Sequence, residues 1–190
     1  MSDFEFIFAL YSLLLGLSMV ELLGGLGRAL EVRFAAEAER EAFAIGWLTP
    51  LLAIFVMLDL LSFWSAAWTA RGSLTVSNTV LMAVAAFAAV YFLAARLVFP
   101  SHPEGFANLD VHYFRVRRII LGLLLVLLGA QLGFYLSQPG LAATLSRPIA
   151  WAMTIVLVAL MVAAMWVKDR RWSIAILAAL IARYVVIYLL

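Results

Sequence analysis

Six long apolar runs occupy nearly all of this 190-residue chain, at positions 4–26, 47–69, 74–99, 119–137, 148–167 and 172–190. Each has about the 20 residues needed to cross roughly 30 Å of hydrocarbon. Backbone amides in hydrocarbon have no water to bond, so runs of this length must satisfy themselves as helices. Strands of a barrel would alternate apolar and polar residues over about ten positions, and these runs do not. The expected fold is all-α: one membrane domain over 1–190, six transmembrane helices in three antiparallel hairpins, and no soluble domain. Composition agrees, with 67% hydrophobic and 13% charged residues, where soluble chains carry about half and a quarter.

The leading residues Ser2, Asp3 and Glu5 are polar or acidic, whereas a secretory signal would start basic. The first run is therefore expected to remain as the first span. Cysteine is absent, which removes disulfides, thiolate nucleophiles and iron–sulfur ligands.

Orientation follows from charge. Ten of the 13 Lys and Arg residues lie in the segments after spans one, three and five: Arg28, Arg33, Arg40, Arg96, Arg115, Arg117, Arg118, Lys168, Arg170 and Arg171. Only Arg71 and Arg147 lie on the other side, and Arg183 lies within a span. The positive-inside rule then puts the basic loops in the cytoplasm and both termini outside, in the setting of a bacterial inner membrane. The basic residues are accounted for by topology, so a pI near 9.2 does not imply nucleic acid. The expected partners are membrane lipids and a second copy or a partner membrane subunit.

Two cytoplasmic segments are longer than a turn. Positions 31–43 are rich in helix formers and place Arg33 four residues before Glu37, which predicts an extension of span one or an interfacial helix. Positions 100–118 hold His102, Glu104, Asp110 and His112. Two histidines ten apart across Pro103 and Gly105 are a weak metal pattern, since a site needs three or four converging ligands. Arg115, Arg117 and Arg118 are expected to meet anionic headgroups.

Charge within a span is costly, about 2.5–3.5 kcal/mol at mid-helix, so such groups are expected to face protein or water. Glu21, Asp59, Gln131 and Arg183 are the residues concerned. Counted from Trp47, Arg118 and Trp172, the positions of Asp59, Gln131 and Arg183 share a depth of roughly 16–20 Å. An Asp59–Arg183 ion pair with Gln131 nearby is expected on that ground. Asp59, Ser62, Ser65 and Thr69 form a stripe on one helix face. With Asn78, Thr154, Tyr184 and Tyr188 it could line a vestibule; alternatively the hydroxyls bond their own helix carbonyls. Glu21 shares a face with Gly24 and Gly25, and Arg96 is placed to reach it.

No histidine or lysine lies within a span, which argues against membrane haem and a retinal Schiff base. Walker, nucleophile-elbow and His-Glu-x-x-His motifs are absent, and no internal repeat indicates an inverted-repeat transporter. No cofactor is expected. Three functional classes remain: a small channel or proton-coupled transporter using the cluster of Glu21, Asp59, Ser62, Gln131 and Arg183; a scaffold or accessory subunit; and a lipid-acting enzyme using His102, Glu104, Asp110 and His112.

Overall fold

The computed structural model describes residues 2–39, 43–73, 75–145 and 148–189. Arg40, Leu74, Arg147 and Leu190, and the side chain of Glu37, lie outside the described residues. Seven α-helices follow in order: α1 (Asp3–Glu39), α2 (Leu48–Thr69), α3 (Asn78–Val98), α4 (Leu109–Ser137), α5 (Pro139–Leu145), α6 (Pro148–Trp166) and α7 (Arg170–Leu189). A 3-10 turn at Pro103–Gly105 lies between α3 and α4. All but α5 are long and apolar enough to cross a membrane. The protein is a multi-pass integral membrane helix bundle.

The element boundaries depart from expectation in two places, while α1 runs unbroken to Glu39, the extension of span one that positions 31–43 predict. At 37 residues it is about 55 Å long, more than a bilayer needs. α4 begins at Leu109 rather than 119, because Asn108 caps it: its side chain accepts the Asp110 N–H at 2.8 Å. Positions 139–145, between the expected fourth and fifth spans, form α5, with Pro139 in its first turn where a missing N–H costs nothing.

α2 is the central helix and packs against α1, α3, α4 and α7. Around it α3 contacts α1 and α4, α4 contacts α6, and α6 contacts α7. All three expected hairpins are in contact, although α1 packs more extensively on α3 than on α2. Lipid supplies no hydrophobic drive between helices, so close approach by small residues carries the packing. Ala88, Ala94 and Ala95 of α3 are buried. At Gly25 an added Cβ would sit 2.7 Å from Phe99, so this glycine lets α1 close on the end of α3. Gly16 and Gly24 make no comparable close approach.

The arginine-rich end, hereafter the basic end, is tied by a polar clamp. Asp110 is 6% exposed. Its Oδ1 accepts the N–H of Leu48, the first residue of α2, at 2.9 Å, and its Oδ2 accepts Arg170 Nε at 2.8 Å. Trp47 provides no side-chain cap for α2, so a carboxylate from another helix serves that positive helix end. Gly46 lies against this carboxylate at φ +70°, a conformation that favours glycine, and any Cβ there would collide with Asp110. Thr49 Oγ1 donates to the Leu109 carbonyl at 2.8 Å. A parallel bridge between Ala44 and Asn108 completes the join, with Ala44 N–H donating to Ala107 O and Leu109 N–H to Ala44 O.

Candidate functional site

Asp59 lies eleven residues beyond Leu48, about 16 Å along α2. Its neighbours Phe55, Val56, Leu60 and Phe63 are all buried, so the same face points into the bundle, and Asp59 is only 4% exposed. Two tyrosines hold it. Tyr184 of α7 donates to Oδ1 at 2.6 Å. The Tyr91 hydroxyl of α3 lies 3.3 Å from Oδ2 and 2.6 Å from the Val56 carbonyl. The carboxyl group thus joins α2, α3 and α7 at mid-bundle. Aromatic rings enclose it: Phe63 packs on Tyr91 and Phe87, and Phe55 on Tyr184.

The expected Asp59–Arg183 pair is not formed. Arg183 Nε donates to the Met153 carbonyl of α6 at 2.9 Å, and its guanidinium lies over the Tyr184 ring. Successive helical residues point about 100° apart, because a turn holds 3.6 residues. Residue 183 therefore faces α6 while residue 184 faces α2. The buried Nη1 of Arg183 has no hydrogen-bond partner among the described residues. Equal depth located the right layer, but it assigned the acid to the wrong one of two adjacent side chains.

Gln131 does not join Asp59 either. It lies beside Tyr135 and lines an apolar cavity between α1, α2, α3 and α4. Of the stripe on α2, Ser62 is half-buried, whereas Ser65 and Thr69 are exposed. Thr69 donates to its own helix at Ser65 O, and Thr154 does the same at Ala150 O. Asn78 is exposed at the start of α3. These positions do not form a continuous polar vestibule. Glu21 stands apart, near the basic end, with its Oε2 at 3.4 Å from Arg96 Nε.

The basic-end residues divide. Arg115 and Arg118 are exposed; Arg115 lies over Phe106 and Arg118 over Trp166. Arg117, expected at the headgroups, is instead 3% exposed. Its Nη1 donates to the Val167 carbonyl and its guanidinium sits 4.7 Å from the Phe114 ring centre. That carbonyl follows the end of α6, where a cation is favoured by the helix dipole. His102 and His112 do not converge. His102 Nδ1 meets Glu104 Oε1 at 3.1 Å on the surface, where the Glu104 backbone amide and then the His102 ring hold that carboxyl below its ordinary range. His112 is buried, with Nε2 at 3.0 Å from the Leu97 carbonyl. Among the described residues, no three His, Cys, Asp or Glu side chains could hold a metal ion together.

Sequence reasoning missed three functional groupings: Tyr91 as a partner of Asp59, the inward turn of Arg117, and Asp110 as the cap of α2. Tyr91 reads as one more aromatic in an apolar run. Asp110 beside Asn108 reads as a local helix start; only the long-range approach of Leu48 and Arg170 reveals its second role. No protein family, curated protein or solved structure matches this chain.

Proposed function

We propose that this is a small proton-coupled transporter in which Asp59 is the proton-carrying group. The basic end would face the cytoplasm and both termini the other side of a bacterial inner membrane. One observation carries the reading: a mid-bundle carboxyl group whose direct partners are neutral hydroxyls, with the nearby arginine committed to a backbone carbonyl. An intramembrane acid of this kind is costly to keep, and such groups mark proton or ion paths. Proton uptake changes its hydrogen-bonding role. A carboxylate only accepts, whereas a carboxylic acid must also donate. The single Tyr91 proton lies between the Val56 carbonyl at 2.6 Å and Oδ2 at 3.3 Å, so a proton on Oδ2 would reverse the Tyr91 contact and shift the hold on the acid between α3 and α7. This is a two-state element whose balance a proton can shift.

Glu21 and Arg96 form a second charged pair toward the basic end and would serve the other half of the route. A scaffold reading is favoured by the same ties, since Tyr91 and Tyr184 join three helices at one point. Infrared titration of the protein in nanodiscs separates the two, combined with proton flux in proteoliposomes. The transport reading expects a protonated-carboxyl band that rises and falls across the physiological pH range and is lost in Asp59→Asn. Flux should fall at least tenfold in that variant while its melting temperature holds. Absence of any such band, together with silent liposomes under imposed pH gradients, overturns transport in favour of the scaffold.

A further inference from the structure

A cavity of about 300 Å³ lies between α1, α2, α3 and α4, at the end opposite the clamp. It exists because α2 and α3 present alanines there, including Ala66, Ala67 and Ala83, where larger side chains would fill the gap. Phe63 and Phe87 form part of its wall, on the side toward Tyr91 and Asp59. Phe4, Phe8 and Phe134 are half-exposed lining residues and connect it to the surroundings. An empty apolar space forgoes the contacts its lining would make. The largest apolar pocket with a few convergent polar groups is also the default place for a ligand.

Three polar side chains face into this lining: Tyr11, Gln131 and Tyr135. Tyr135 donates its hydroxyl to the Ala66 carbonyl at 2.8 Å and so is already engaged. Tyr11 is different. Its side chain is only 7% exposed and packs on the Phe87 ring, and none of the hydrogen bonds among the described residues uses its hydroxyl. A hydroxyl that lines an apolar space and is not engaged by the protein is available to a ligand acceptor. Both Tyr11 and the Gln131 amide can donate. Among the described residues no Asp, Glu, Lys, Arg or His lines the cavity, so a charged ligand would meet no counter-charge from them.

We infer that this cavity binds a neutral, mostly apolar molecule with one carbonyl-type oxygen, which accepts a hydrogen bond from the Tyr11 hydroxyl with the Gln131 amide beside it. At interior packing density the space holds about a dozen non-hydrogen atoms, the size of a small bicyclic ketone. The inference does not rest on proton coupling at Asp59. Asp59→Asn leaves the cavity lining intact, and its ligand binding should be unchanged whether or not transport is found.

A matched pair of probes tests it: 1-tetralone, which has the carbonyl, and tetralin, which lacks it. Saturation-transfer NMR titrations are run on the protein in nanodiscs and corrected with empty nanodiscs. Wild-type protein should bind tetralone about 3- to 10-fold more tightly than tetralin, the fold-change of one ordinary hydrogen bond. Tyr11→Phe should erase most of that preference and leave tetralin binding as it was. Ala83→Leu and, separately, Ala67→Leu should weaken both probes at least tenfold. Thermal melting identifies which of the two remains folded, and Tyr11→Phe tests the hydroxyl without filling the space. Binding no greater than in empty nanodiscs overturns the inference. So does equal affinity for the two probes, or a ketone preference that survives Tyr11→Phe combined with Gln131→Met.

Discussion

The clamp at the basic end yields a stability prediction that can be worked from its geometry. In Asp110→Ala, the Leu48 N–H loses its acceptor while Leu48 remains fully buried. A hydrogen bond to a charged acceptor contributes about 1.5–3 kcal/mol, and the stranded amide accounts for much of that loss. The Arg170 contact is worth less: that side chain is 56% exposed, so water replaces the carboxylate, and about 0.5–1 kcal/mol is the appropriate share. The expected cost of Asp110→Ala is therefore about 2–4 kcal/mol. Asp110→Asn keeps one oxygen for the Leu48 N–H and should cost about 1–2 kcal/mol. Arg170→Ala should cost about 1 kcal/mol or less. Unfolding in mixed micelles, titrated with a denaturing detergent and followed by helix content, ranks the three variants. A cost below about 1 kcal/mol for Asp110→Ala, or an equal cost for Arg170→Ala, would refute the claim that Asp110 acts mainly as the cap of α2.

Further expectations follow from single contacts. Gly46→Ala combines the strain of a positive φ with a collision at Asp110 and should cost more than 3 kcal/mol, whereas Gly72→Ala, with nothing within 4 Å of the added Cβ, should change melting by less than about 0.5 kcal/mol. Gly25→Ala should destabilise by about 1–3 kcal/mol through Phe99, and Phe99→Ala should recover part of that loss in a double-mutant cycle. Arg117→Ala should lower the melting temperature clearly, at a cost of about 2–4 kcal/mol, while Arg115→Ala and Arg118→Ala stay within about 1 kcal/mol of wild type. Asp59→Ala should couple in a stability cycle more strongly to Tyr184→Phe than to Arg183→Ala, because the acid touches the tyrosine directly and meets the arginine only across the Tyr184 ring.

The spans were legible because length and hydropathy are local properties, and five of the six expected runs end within a few residues of the observed helices. The start of α4 was not. Arg115, Arg117 and Arg118 look like the edge of a hydrophobic run, yet a helix passes through them: buried Arg117 and exposed Arg118 both reach carbonyls at the end of α6, and Arg115 turns outward. Asp59 and Arg183 were legible as buried charges at one depth. Their partners were not, since a rotation of one residue along α7 decides which side chain meets α2, and hydropathy carries no such phase. Glu21 and Arg96 were legible as a pair because both stand near one boundary, where a long arginine has reach. The cavity left no sign at all: an alanine that lines a void and an alanine that closes a helix seam are the same letter.

The clamp also imposes an order on how the molecule can be made. Its three parts, Leu48, Asp110 and Arg170, belong to three successive hairpins, so translation delivers them far apart in time. When α2 first enters the membrane its leading amide has no acceptor. When α4 follows, Asp110 brings that acceptor but also a carboxylate whose cation has yet to be synthesised. Only with the start of α7 does the last side chain arrive. Until then water stands in for the cation at that carboxylate, so the last step of assembly replaces solvent with a side chain. The seating of Arg170 on Asp110 therefore requires that all three hairpins have come together.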